Sequence, residues 1–348
     1  MERSKLIKWY FVMNIYCYQE NYKKPMNVLQ NTLKDVYRKD IHIIGGGNRI
    51  LNEHINNNLD KIILSFYPGI VFEQPEALIG RLKADLVFAN SINDYNELKQ
   101  ICSIFKVRFN GFLLGAVWYE KAKQIKEIEE KKYIVFFEQI DIPKTKDNRV
   151  KLLKEIFKMA NKNQNRNFLI KSREEYRDHK LSLYNLSKEF DLPKNIHFTD
   201  IKTCDLIQNL DLGISISSST SIEALLANKK YIIISDFGYK NTFLNFYKNS
   251  GLIQKFKDID LYHLPSVNPK WAKQNIFNPY DDNNINKLKS PGGFIVLFFI
   301  LFLLNFSCYH STMGLMIFLL NCQRSSSKFQ LLGYAEQFCF PFVIFSNF

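Results

Sequence analysis

An α/β protein with two units of parallel sheet is predicted by three features of the sequence. Short β-branched or aromatic runs alternate with helical patterns from residue 41 to residue 235, the order that parallel crossover units require. An almost wholly charged stretch, "KAKQIKEIEEKK" at 121–132, interrupts the alternation once. Beyond it, the strand-like "LGISIS" ends in a hydroxyl cluster, Ser217, Ser218, Ser219 and Thr220, before a further helix.

In the first unit, "IHII" enters Gly45-Gly46-Gly47 as a strand enters a glycine loop. The loop has neither the G-x-G-x-x-G spacing of a dinucleotide site nor the Lys-Ser/Thr of a P-loop. "KIILSFYPGI" is a second strand ending in the turn Tyr67-Pro68-Gly69. "ADLVFANS" is a third, followed by a helix for which Asp94 is the expected cap, and "VRFNGFLLG" at 107–115 is a fourth. After the charged connection come five more strands: "YIVFF", "NFLIKSR", "IHFTD", "LGISIS" and "YIIIS". The helix "NRVKLLKEIFKMANK" repeats Val150, Leu153, Ile156, Phe157 and Met159 at helical spacing. The expected division is 1–120, a linker at 121–132, a second domain at 133–290 and an atypical hydrophobic tail at 291–348.

The formal charge of +13 points to an anionic partner: nucleic acid, an acidic membrane surface or a phosphorylated small molecule. No arginine-rich run, zinc-finger spacing or RNP-like motif is present, so nucleic acid is not expected. Cys17, Cys102, Cys204, Cys308, Cys322 and Cys339 are widely spaced without a C-x-x-C pair, as in a cytosolic protein with reduced, mostly buried thiols. The N-terminal stretch lacks a small-residue cleavage site, and a secretory signal is not expected. The tail begins with "FIVLFFILFLLNF", shorter than the roughly 20 residues that cross a bilayer. Three accounts fit it: a membrane-associated hairpin over 294–320, packing against the body, or an out-of-frame terminus. The expected location is cytoplasmic, or peripheral to or anchored at the inner membrane.

Thr220-Ser221-Ile222-Glu223 has the spacing of a capping box, so a helix is expected to start there. Its free N–H groups, with Ser217, Ser218, Ser219 and Thr220, would suit a phosphate; the alternative is that these residues only cap and turn. Ligands of open α/β sheets bind outside the carboxyl ends of the strands, which brings Lys171 and Arg173 to the same edge as phosphate-neutralising cations. No metal cluster is visible, and none is expected. "SDFG" imitates a kinase triplet, but no H-R-D loop or V-A-I-K strand accompanies it.

The segments "VFFEQIDIP", "NFLIKSREEYRDHK", "LGISISSSTSIEALLANKKYIIISDFGYKNTFLNFYKNSGL" and "NPKWA", in this order over 135–272, resemble bacterial glycosyltransferases of GT-B type related to capsule and lipooligosaccharide enzymes. Weaker similarity lies in "SFYPGI" and "FNGFLLG". The resemblance implies two Rossmann-like domains with parallel sheets facing a cleft. It implies transfer of a sugar from a nucleotide-sugar donor, bound mostly by the second domain, to a bacterial surface glycan; the donor is a substrate, and no cofactor is expected. The hydroxyl cluster is also similar to the Ser/Thr motif of bacterial sialyltransferases, which implies a CMP-sugar, with a UDP-sugar as the alternative.

An inverting, metal-independent transfer needs a base for the acceptor proton and charge stabilisation at the departing phosphate. Glu138, at a strand end, is the first expected base and Asp141 the second; His179 is expected as an acid or a phosphate ligand. Tyr67, Pro68 and Gly69 are expected to shape the acceptor side, with Asp236 and Gly238 in the loop after the last strand. Two other readings compete: a nucleotide-sugar epimerase of the same architecture, and a non-catalytic glycan-binding or membrane-associated remnant.

Overall fold

Among the described residues, runs of Ile, Leu, Val and Phe form two parallel sheets, one of five strands and one of six. The computed structural model describes residues 13–33, 41–121, 132–139, 142–237 and 242–289. Most of the expected linker, Asp141, Gly238 and the tail lie outside the described residues.

The first sheet has the order β1 (Met13–Cys17), β2 (Ile41–Gly45), β3 (Ile62–Phe66), β4 (Leu86–Ala89), β5 (Gly111–Leu113). Its helices are α1 (Lys23–Leu33), α2 (Asn48–Asn56), α3 (Pro75–Ile79) and α4 (Ile92–Ile104). Ile44, Ile63 and Val87 from the strands pack with Leu51, Leu78 and Leu98 from the helices, each fully buried side chain being worth about 1.5–3 kcal/mol. Four strands were expected, and β1 is the addition. Among the described residues "MNIYC" lies at the sheet edge, paired with β2 and half-buried, so it lacks the continuous apolar run of an inner strand. The cap of α4 is Ser91, whose Oγ accepts from the Asp94 N–H at 3.1 Å, and not Asp94 itself.

The second sheet contains β6 (Tyr133–Phe137), β7 (Asn167–Lys171), β8 (Ile196–Phe198), β9 (Leu210–Ser215), β10 (Lys230–Ile234) and β11 (Ile253–Gln254). Its order is β11-β10-β9-β6-β7-β8. The chain winds outward from β6 through β7 and β8, then returns to the other side of β6 and winds outward again. The strand order therefore reverses between β6 and β9, the point where sheets of this kind open a crevice at their carboxyl ends.

The helices of this half are α5 (Lys146–Lys162), α6 (Glu174–Arg177), α7 (Leu183–Ser187), α8 (Thr203–Gln208), α9 (Thr220–Leu226) and α10 (Thr242–Phe246). On α5 the buried face is Leu152, Leu153, Ile156, Phe157, Met159 and Ala160, close to the expected stripe. Further along lie α11 (Pro269–Asn275) and α12 (Asp282–Lys289).

After β11 the chain returns to the first half. Helix α11 packs on α4, Asn93 Nδ2 donates to Asn275 Oδ1 at 3.0 Å, and Ala116 N–H donates to the Phe277 carbonyl at 2.9 Å. Gly115 makes this crossing possible. Its φ is +117°, and a Cβ there would lie 2.5 Å from the Phe277 oxygen.

Among the described residues no helix is long and apolar enough to cross a membrane. Cys17 is exposed, Cys204 half-buried and Cys102 buried, all as free thiols.

Candidate functional site

The reversal between β6 and β9 brings residues 138–139 beside residues 216–220. The Gln139 side chain spans the boundary: its Nε2 donates to Ser217 Oγ at 2.8 Å, and its Oε1 accepts from Ser217 N–H at 2.5 Å. A single amide thus meets both polar groups of Ser217, which is buried.

The remaining hydroxyls bond largely to one another. Ser218 N–H donates to Ser215 Oγ at 3.1 Å, and Ser218 Oγ accepts from Thr220 N–H at 3.3 Å and from Thr220 Oγ1 at 2.8 Å. With its proton so used, Thr220 Oγ1 accepts from Tyr231 at 2.8 Å. Tyr247 donates to the Ser218 carbonyl at 2.9 Å and so accepts from Ser221 Oγ at 2.7 Å. Burial pushes the Tyr231 and Tyr247 phenols well above their ordinary value, which keeps them neutral donors. Gly213 leaves room for the Tyr231 ring, which lies 2.4 Å from where its Cβ would stand.

Ser219 is the exception. Its carbonyl accepts from Trp118 Nε1 of the first half at 3.3 Å. Its N–H and Oγ have no protein partner among the described residues, and it is half-buried, as are Ser218 and Thr220.

The expected capping box does not form. Ser219 is the N-cap of α9 and makes no side-chain cap bond. Glu223 instead reaches across to α1, where Lys24 Nζ donates to its Oε2 at 2.5 Å. A carboxylate that is 2% exposed needs a counter-charge more than a second backbone bond. Burial raises its pKa, and Lys24 opposes the rise.

Glu138 is likewise buried rather than open at the strand end. Arg149 from α5 and Ser172 donate to its two oxygens, and Leu183 N–H donates at 2.8 Å. Burial pushes its carboxyl above the usual range, and these bonds pull it back. With its oxygens occupied, it is not placed as the accessible base that the strand-end position led us to expect. Arg149 also donates to the carbonyls of Gln139, Pro143 and Leu181, and its guanidinium lies 5.1 Å from the Tyr176 ring centre. The ion pair therefore fixes the backbone of the residue that bridges to Ser217.

Lys171 ends β7, at the same sheet edge one strand from the crossover, and is half-buried; Arg173 is exposed, two residues on. His179 is exposed, stacked on Tyr176 at 4.7 Å, and its Nδ1 accepts from Leu181 N–H at 3.2 Å. Tyr67, Pro68 and Gly69 follow β3 in the first sheet. Asn90 Nδ2 donates to the carbonyls of Tyr67 and Gly69, and the Tyr67 ring lies 5.1 Å from the buried Arg81 guanidinium. Asp236 accepts from Phe256 N–H at 2.9 Å and so braces the loop after β10.

Gln139, Arg149, Lys24 and Trp118 hold the site although none was expected there from the sequence. Only Gln139 left a signal, a polar residue directly after an apolar strand. Among the described residues no three His, Cys, Asp or Glu side chains gather as a metal-binding group.

No curated protein matches this chain in sequence. Solved structures do match it in fold. The UDP-GlcNAc 2-epimerase of Methanocaldococcus jannaschii, in complex with UDP-GlcNAc and UDP, is similar over 77% of this chain and 80% of its own, with 12% identity and a TM-score of 0.50. The S. aureus MnaA–UDP structure is similar over 80% and 79%, with 12% identity and a TM-score of 0.50. At this identity the likeness shows the fold alone: two parallel-sheet α/β domains of GT-B type. Residues 48–290 match the family model described as "Putative glycosyltransferase (DUF6716)", and the chain belongs to that family.

Proposed function

We propose that the protein transfers a sugar from a nucleotide-linked donor to a glycan acceptor, with the donor phosphates over the carboxyl ends of β6, β7 and β9. The supporting observation is Ser219. It sits at the strand-order reversal with its N–H and Oγ unpartnered among the described residues, while its neighbours are held in place by Gln139, Tyr231 and Tyr247. Lys171 and Arg173 supply positive charge at the same edge. In this reading Ser217, Ser218 and Thr220 shape the loop and Ser219 meets the phosphate.

The donor is CMP- or UDP-linked and the acceptor a bacterial surface glycan of capsule or lipooligosaccharide type, reached from the cytoplasm or the inner face of the membrane. Transfer is inverting and metal-independent. His179 suits the leaving phosphate: its Nδ1 is occupied as an acceptor, so the neutral ring carries its proton on Nε2, where it can donate. Asp141 is the base, and Glu138 holds the loop from below. Tyr67, Pro68 and Gly69 shape the acceptor side, and Asp236 and Gly238 are assigned to shaping the cleft.

Incubation with UDP- and CMP-sugars, with and without a glycan acceptor, tests this. Acceptor-dependent nucleotide release is expected, lowered at least tenfold by Lys171→Ala or Ser219→Ala. Conversion without acceptor would identify an epimerase, and no reaction with any donor would leave a non-catalytic protein.

A further inference from the structure

A cavity of about 390 Å³ lies between the edge strand β1 and helix α2, on the first sheet and not the one that carries the β6–β9 crossover. Tyr16, Tyr18, Glu53, His54, Asn57 and Asn58 line it. The Tyr16 and Tyr18 rings stack with centres 6.3 Å apart and planes 12° from parallel. Tyr16 is also in ring contact with His42 and His54, at 4.8 and 4.6 Å. Tyr18 is 50% exposed, an aromatic face turned to solvent beside a cavity.

A buried relay holds Tyr18 in place. Its hydroxyl lies 2.9 Å from His54 Nδ1, and His54 Nε2 lies 2.9 Å from His42 Nδ1. Both imidazoles are buried. Each contact carries one proton, which two neutral imidazoles and a phenol supply. Burial and the neighbouring His42 lower the His54 pKa, in keeping with a neutral relay. The proposed function makes no use of this chain, which orients an exposed ring and costs a ligand little further ordering.

We propose that this cavity is a carbohydrate subsite that takes an uncharged sugar ring, packed on Tyr18 and hydrogen-bonded by Asn57, Asn58 and Glu53. The C–H groups of a pyranose face are electropositive and meet the negative face of an aromatic ring. Asn58 Nδ2 is held by the His54 carbonyl at 2.8 Å, which orients its amide oxygen as an acceptor. Among the described residues no lysine or arginine lines the cavity, and Glu53 contributes a carboxylate paired with Arg49 at 3.0 Å, which disfavours a phosphorylated ligand. The volume, near the lower end for small-molecule sites, suits one or two sugar rings. That the ring belongs to the acceptor glycan rests on the proposed function; the subsite itself does not.

Saturation-transfer NMR on the full chain tests the site, with methyl β-glucopyranoside, methyl N-acetyl-β-glucosaminide and glucose 6-phosphate as probes. Transfer to the ring C–H protons of at least one methyl glycoside is expected, reduced at least fivefold by Tyr18→Ala and less by Tyr18→Phe, which keeps the ring. Absence of transfer from wild type, or equal transfer in Tyr18→Ala, would overturn the proposal. Stronger binding of the phosphorylated sugar would overturn the uncharged class. Titration of the same wild-type sample with UDP and CMP reads the donor site separately, so either reading can fail while the other stands.

Discussion

Gln139 and Ser217 exchange two hydrogen bonds across the β6–β9 boundary, one in each direction. The pair ties the two strand ends where the winding of the sheet reverses, and it sets the start of the loop that carries Ser219. Gln139→Ala leaves the buried N–H and hydroxyl of Ser217 without these partners, at a cost of about 1–3 kcal/mol. Nucleotide affinity is expected to fall about tenfold as the loop loosens. Calorimetric titration with UDP and CMP measures it. A double-mutant cycle with Ser217→Ala should return a coupling of about 1 kcal/mol; additivity would show that the two bonds do not act as a unit.

Behind Gln139, the Glu138–Arg149 pair is predicted to be structural. Arg149→Met removes the partner of a carboxylate whose side chain is 1% exposed, and loss of one member of such a pair costs about 3–5 kcal/mol. Glu138→Gln keeps the shape and the bonds from Ser172 and Leu183, and is expected to cost less. Chemical denaturation reads both. A Glu138→Gln variant of wild-type stability with no transferase activity would return Glu138 to the chemistry.

Much of the second sheet was legible because its inner strands are apolar and β-branched or aromatic, and the family likeness rested on the same segments. The edges were not: β1 is half-buried and β11 has two residues, too little for a pattern. The hydroxyl cluster stood out in the sequence, but its bonding depends on Tyr231, Tyr247 and Gln139, which are distant or unremarkable in sequence. Glu223 illustrates the limit. Local spacing assigned it to a capping box, and a lysine 199 residues away in the chain claimed it. The burial of Glu138 was hidden for the same reason, since its partner Arg149 arrives from the next helix.

Asp94 provides a test by pH. It is buried on α4, and burial raises its carboxyl to about 7 despite bonds from Ser91. The unfolded chain holds it near the ordinary carboxylate value of roughly 4, so the folded state takes up a proton between these two values. Its contribution is fully present below about pH 4 and is lost as pH rises through about 7. Asp94→Asn keeps an acceptor for the helix start and removes the titration. Its stability curve should be flatter between pH 4 and 7, and above pH 7 it should exceed wild type by at most roughly 4 kcal/mol. Parallel curves for the two proteins would place the Asp94 carboxylate in contact with water.

The Lys24–Glu223 pair joins the two halves of the molecule beside Trp118 and Ser219, and its two members differ in exposure. Lys24 is 34% exposed and Glu223 only 3%. Lys24→Met therefore strands the buried partner, at a cost of about 2–3 kcal/mol after allowing for solvent at the lysine end. Adding Glu223→Gln removes the stranded charge and should recover most of that loss. The sign with pH follows from the same burial. Without Lys24, the folded state favours a protonated Glu223 even more strongly, so its pKa rises further above the unfolded value. The single variant should then regain stability as pH falls toward the ordinary carboxylate range, whereas the double variant should not respond. Denaturation midpoints at pH 5 and pH 8 distinguish these outcomes. A loss in Lys24→Met that is the same at both pH values would mean that water, not lysine, compensates Glu223.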